Sequence, residues 1–147
     1  MRLFHYAMLP YLPDLQFKGQ LREVVAIMSS WRDTGKTNHL LINRVMEYPK
    51  NDLWIYFIKY HAEYRKRYGK PIKNEIYQEF AKFPDCEGTG EFRQPFPDWH
   101  NREYLRVCMA NLYEKHIFGI GKSRITDEEW ARLCDGYERI TGEVYKI

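Results

Sequence analysis

The chain has 147 residues, 44% hydrophobic and 29% charged. That suits one domain with a real core and excludes a disordered segment. No apolar run approaches the roughly 20 residues of a membrane span. The start, Met1-Arg-Leu-Phe-His5, also lacks the apolar stretch of a signal peptide, so a cytoplasmic chain with no membrane partner is expected.

Residues 1–13 contain Pro10 and Pro13 and read as an extended arm. Asp14 can cap a helix over 14–31, in which Phe17, Leu21, Val24, Met28 and Trp31 form one stripe of 3.6-residue period. A loop at 33–36 leads to a second helix that starts at Thr37 or Asn38 and stops before Pro49. Asn51 is expected to cap a third, whose basic end, Arg65-Lys-Arg67, complements the helix dipole before Gly69. A short helix follows over 72–83, then a Pro/Gly-containing loop over 84–99, of a length usually tied to function or mobility. Residues 101–116 read as a helix followed by a Gly-rich turn. The last helix opens with a capping box, Thr126 to Glu129, and with Ile125 placed to staple onto Trp130. No strand pattern, internal repeat or low-complexity tract is present. The expectation is all-α: a single compact domain of five or six helices, covering 1–147, with an extended N-terminal arm.

Charge and motifs narrow the chemistry. The net charge is +3, but residues 1–83 hold 14 Lys/Arg against 8 Asp/Glu, whereas 84–147 hold 9 against 12. The earlier part is the better surface for a polyanion, although a solvated face explains the same charges. The three cysteines, Cys86, Cys108 and Cys134, are odd in number and far apart, which implies no disulfide framework. No close cysteine pair exists to begin a zinc site with His100 or His116, so no metal is expected. Gly35-Lys36-Thr37 and Gly121-Lys122-Ser123 look like pieces of a phosphate-binding loop. The glycine such a loop needs five positions earlier is replaced by Ser30 and His116. The aromatic content of 16%, with 12 Tyr, exceeds what an aliphatic core requires and places tyrosines at the core boundary or against a flat ligand.

One helix face stands out. Gln16, Gly19, Glu23, Ala26 and Ser30 share a side of the first helix, so small neighbours leave space beside the Glu23 carboxylate. Lys18 and Arg22 form an adjacent stripe suited to phosphates. This arrangement suits chemistry at a sugar next to a backbone phosphate. It equally suits close packing of another helix, with Glu23 paired to a neighbouring cation.

The segments Met1-Arg-Leu-Phe-His5, Tyr11-Leu-Pro13, Gly19-Gln-Leu-Arg-Glu23, His39-Leu-Leu-Ile-Asn43, Tyr48-Pro-Lys50, Asn101-Arg-Glu-Tyr-Leu-Arg106, Asn111-Leu-Tyr-Glu-Lys115 and Thr126-Asp-Glu-Glu-Trp130 run in order along most of the chain. Together they resemble the pyrimidine-dimer DNA glycosylase (phage endonuclease V) family, in particular its phage and bacterial branch. The resemblance implies an all-α monomer that binds damaged double-stranded DNA, kinks it and flips out a base, with no cofactor. It implies a glycosylase/AP lyase in which the N-terminal amine, here of Met1, attacks the sugar C1′ and forms a Schiff base. Glu23 would assist at the sugar and in the strand-cutting elimination. Arg22, Lys18 and Lys115 would hold backbone phosphates. Arg2 and His5 on the arm would do the same or position the amine. An α-amine titrates near 7.7–8, so a useful fraction is neutral and nucleophilic at neutral pH.

The chain departs from the family pattern in three places. Arg2 is too large for the usual removal of Met1, which sets the amine roughly 3.8 Å further out. Ala26 and Asn111 stand where the family carries arginines. The tail Gly142-Glu-Val-Tyr-Lys146 has no match to the family's aromatic-rich C-terminal loop. These departures keep a second reading open: a non-catalytic DNA-binding or protein-interaction module on the same scaffold.

Overall fold

In a computed structural model, the structure describes residues 2–34, 39–83 and 93–147. Met1, the Gly35-Lys36-Thr37 tripeptide, the helix start expected at Thr37 or Asn38, Cys86 and most of the 84–99 loop lie outside the described residues. The described residues form an all-α fold of six α-helices and two short 3-10 helices, with no strand among them. None of these helices is long and apolar enough to cross a membrane.

The helices are α1 (Asp14–Asp33), α2 (Leu40–Met46), α3 (Lys50–Tyr68), α4 (Asn74–Lys82), α5 (Arg102–Phe118) and α6 (Asp127–Thr141). Their ends follow local chemistry. Gly69 and Gly142 terminate α3 and α6 in the left-handed conformation, at φ 67° and 77°, which carries a steric cost for any residue with a Cβ. The Asn101 side chain caps α5 by accepting from Tyr104 N at 2.9 Å. The capping box of α6 is complete: Glu129 N donates to the Thr126 hydroxyl at 3.1 Å, and Thr126 N donates to the Glu129 carboxylate at 2.9 Å.

Several helix ends shift by one or two residues from the sequence reading, and two features differ in kind. The cap of α3 is Pro49, not Asn51, because Pro49 already has the extended backbone of a cap and Asp52 N donates to its carbonyl at 2.9 Å. The arm is not extended throughout: Tyr6–Tyr11 form a 3-10 helix, which the His5 ring caps by accepting from Ala7 N at 3.1 Å. Short 3-10 turns tolerate a proline better than a long α-helix does, and Pro10 sits inside this one.

The chain folds as two compact units that interleave in sequence. The first comprises Met1–Leu3 and Gln20–Pro97. Its core is built from Val24, Ile27 and Met28 of α1, Val45 of α2, Leu53, Tyr56, Phe57 and Tyr60 of α3, and Phe80 of α4. Phe57 and Phe80 stack with centroids 3.8 Å apart, joining α3 to α4. The expected α1 stripe is only partly the buried one. Leu21 and Trp31 are partly exposed, whereas Gln20 and Ile27 are inside.

The second unit comprises Phe4–Gly19 and Asp98–Ile147. Here the 3-10 helix Tyr6–Tyr11 and α5 both pack on α6. A Cβ added at Gly136 would fall 2.4 Å from the Tyr11 ring, so only glycine permits this approach. Arg132 closes the contact by donating to the Pro10 carbonyl at 2.8 Å.

Candidate active site

The first unit contains a polar corner on the inner side of α1. Gln20 is 3% exposed, and a buried amide must find partners or destabilise the fold. Its Oε1 accepts from the Tyr56 hydroxyl at 3.2 Å, and its Nε2 donates to the Arg2 carbonyl at 2.9 Å. Tyr56 lies on α3 and is fully buried, as is Leu3. A buried relay, Tyr56 to Gln20 to Arg2, therefore fixes the backbone at the start of the chain against α1. The attachment point is one helical turn before Glu23.

Glu23 is under-satisfied. Its Oε2 is buried and has no hydrogen-bond partner among the described residues. Burial pushes the Glu23 carboxyl above its ordinary value, while the positive charges of the amino terminus, His39 and Arg22 pull it back in part. A carboxyl so placed holds or releases a proton closer to neutral pH than an exposed one. It is also primed to gain energy from any positive charge that develops beside it.

The residues expected to form the site divide between the units. Arg2, Arg22 and Glu23 belong to the first, with Arg22 exposed on α1. Met1 lies outside the described residues. Lys18 and Lys115 belong to the second unit. Lys18 is exposed and ion-paired to Asp14 at 3.1 Å, one turn earlier; Lys115 is exposed near the end of α5.

His5 needs correction as a phosphate contact. It is 4% exposed, and its ring stacks on that of His100 at 5.2 Å. Burial pushes its imidazole down to about 4, opposed by a hydrogen bond to the His100 backbone. His100 is held well below its ordinary value by burial and by the nearby His5, and its Nδ1 accepts from Tyr6 N at 3.2 Å. A neutral, enclosed ring offers phosphate neither charge nor access. His5 instead caps the 3-10 helix from inside the second unit. A groove of about 790 Å³ in that unit, lined by Arg106, Tyr137 and Tyr145 among others, includes none of the expected site residues.

Three residues around the site were not singled out for it by the sequence: Gln20, Tyr56 and His39. Gln20 did lie inside the quoted Gly19–Glu23 segment, but its role depends on contacts 18 and 36 residues away. A glutamine where the helical stripe turns inward was the available signal. The clamp of Asp52 was also missed. Its carboxylate is 1% exposed, pairs with Arg93 and accepts from Phe96 N at 2.9 Å. The clamp holds Phe96 at φ 53°, the one positive φ of a non-glycine among the described residues.

An all-α fold with a carboxyl poised beside the anchored chain start and a cation on the preceding position of the helix has the makings of a sugar-directed nucleic-acid enzyme. The family model of pyrimidine dimer DNA glycosylases matches residues 1–75, which hold the chain start, α1, Glu23 and Tyr56. The chain belongs to the pyrimidine dimer DNA glycosylase family, a family of DNA-repair glycosylases whose substrate is DNA. No curated protein and no solved structure matches it.

Proposed function

We propose that the protein is a glycosylase/AP lyase acting on damaged duplex DNA, with the N-terminal amine of Met1 as nucleophile and Glu23 as its acid/base and electrostatic partner. The observation that carries this reading is the buried Oε2 of Glu23, without a hydrogen-bond partner among the described residues, one turn along α1 from the Gln20 side chain that binds the Arg2 carbonyl. An oxygen stripped of water and given no donor favours positive charge beside it. Loss of the base develops that charge at the sugar.

The neutral amine adds to C1′, and the bond from C1′ to the base breaks with its electron pair passing to the base, which takes up a proton. The resulting ammonium gives up one proton, its freed lone pair breaks the bond from C1′ to the ring oxygen, which takes up that proton, and an iminium that keeps the second N–H is left at C1′. Glu23 as carboxylate then removes a C2′ proton, and the 3′ phosphate leaves by β-elimination. Water hydrolyses the remaining imine and frees the amine.

Arg22, Lys18 and Lys115 are assigned to backbone phosphates. The Lys18–Asp14 pair is exposed, so exchanging it for a phosphate costs little. Arg2 and His5 act as positioning residues: Arg2 through its carbonyl on Gln20, His5 through the cap it gives the 3-10 helix.

The test is borohydride reduction in the presence of duplex DNA carrying an abasic site. A covalent adduct that maps to the N-terminal residue, and that is lost in Glu23→Gln or after N-terminal acetylation, is expected. Salt-dependent binding without any adduct would instead assign a non-catalytic DNA-binding module.

A further inference from the structure

The turn between α5 and α6 is built in a way that its own stability does not require. It is pinned at both ends. The Lys115 carbonyl accepts from Gly119 N at 3.1 Å and from Ile125 N at 3.3 Å, and His116 Nδ1 donates to the Ile125 carbonyl at 2.8 Å. A Cβ at Gly119 would fall 2.3 Å from the Lys115 oxygen and 2.7 Å from Arg124 Cα, so backbone meets backbone here. The tip is tied as well, with Ser123 Oγ donating to the Ile120 carbonyl at 2.7 Å and Arg124 N to the Gly121 carbonyl at 3.2 Å.

This hydrogen-bonded frame holds two large apolar side chains in solvent: Phe118 is 78% exposed and Ile120 85%. Ile117 beside them is 48% exposed. A pinned turn cannot fold these side chains back onto the core.

Residues 115–125 carry Lys115, Lys122 and Arg124 and no acid, and acids flank this stretch on both sides. Lys115 and Lys122 are exposed and no ion pair holds them among the described residues, while Arg124 lies 3.4 Å from Asp127. Of the nearby acids, Asp127 faces Arg124 and His116, and Glu129 is committed to the capping box; Glu114 and Glu128 flank the turn. Apolar side chains that unstack a base step from within a ring of phosphate-seeking cations are a recurring way for proteins to kink a duplex.

We propose that the α5–α6 turn is an apolar wedge, in which Phe118 and Ile120 enter between base pairs of duplex DNA while Lys115 and Lys122 bind the flanking phosphates. The proposal rests on the DNA-repair reading above, and its partner is the duplex itself.

Because both wedge residues are exposed, the Phe118→Ser/Ile120→Ser double variant keeps its circular dichroism and melting temperature. It is expected to bind a short abasic-site duplex about tenfold or more weakly and to lose the fluorescence rise of a purine analogue placed at the unstacked step. The salt dependence of its binding should stay that of the parent. Lys122→Ala should do the reverse, reducing the slope of log affinity against log salt by about 0.9 while the fluorescence rise persists. The wedge is overturned if the double variant binds and unstacks the duplex like the parent while the parent still forms the borohydride adduct. It is equally overturned if the two substitutions abolish self-association or binding to phosphatidylglycerol vesicles and leave DNA binding intact. A parent that neither binds DNA nor forms the adduct removes the repair reading and the wedge together.

Discussion

Two carboxylates of the first unit, Asp52 at the start of α3 and Glu23 on α1, have opposite surroundings. Asp52 is almost wholly enclosed and fully engaged: Arg93 on one oxygen, the Phe96 amide on the other. Folding stripped its water and placed a donor on each oxygen. Glu23 is less enclosed, yet one oxygen is buried without a donor among the described residues, and its proton affinity is raised. The first pattern fixes a loop, including the strained backbone at Phe96. The second leaves an oxygen to which none of the described residues donates. An unpartnered atom alone does not separate the two cases, since Gln16 Oε1 is also buried without a hydrogen-bond partner among the described residues. The difference at Glu23 is charge, next to the anchored chain start.

The largest expected effect tests that contrast directly. Glu23→Gln should slow cleavage of an abasic duplex by about 10²- to 10⁴-fold in single-turnover assays. The same variant should be at least as stable as the parent at neutral pH. A carboxyl whose folded value is raised contributes stability that is fully present below its ordinary value of 4.5 and is lost as pH rises through the raised one. A neutral glutamine escapes that loss. Equal activity, or a marked fall in melting temperature, would place Glu23 with Asp52 as a structural group.

The buried imidazoles of the second unit extend the comparison to pH. His5 falls from 6.5 to about 4 on folding, a difference on the order of 3 kcal/mol. For a group whose folded value is depressed, the contribution is present above 6.5 and disappears as pH falls through about 4. His5→Asn keeps a side-chain acceptor for the Ala7 amide but cannot take up the proton. Urea unfolding across this range should show a shallower acid decline in the variant than in the parent. Parallel curves would mean that His5 is already charged in the folded chain.

Next in size, Asp52→Ala should cost about 2 kcal/mol in urea unfolding, from the orphaned Phe96 amide and the released Arg93. The cleavage rate per folded molecule should be unchanged. A rate loss comparable to that of Glu23→Gln would erase the distinction between the two carboxylates.

The smallest effect concerns the relay. Tyr56→Phe removes the donor to Gln20 and should cost about 1 kcal/mol of stability. If the relay aims the chain start, adduct formation slows by about tenfold while the duplex dissociation constant holds. A variant that forms adduct at the parental rate would show that Gln20 positions the Arg2 carbonyl without help from Tyr56.

What was legible in the sequence is what local chemistry fixes. The box from Thr126 to Glu129 and Gly69 after α3 act within one turn of themselves, so a residue and its near neighbours suffice to specify them. The Arg22-Glu23 pair was legible for the same reason, as neighbours on one helix. Pro49 displaced Asn51 as the cap although it has no side-chain acceptor, because its backbone is already extended where the helix begins.

The amino-acid order alone thus determined an all-α chain, most of its helix ends and a carboxylate beside cations on α1. Only the tertiary structure decided that Gln20 turns inward, that His5 is enclosed and neutral, that Asp52 fastens a loop more than forty residues away, and that Gly136 lies under Tyr11. Each of these is a contact between residues remote in sequence. Helical periodicity says which side of a helix is apolar, but the burial of a polar group depends on whether a distant partner arrives to satisfy it. The unpaired oxygen of Glu23 is the case in which none of the described residues does.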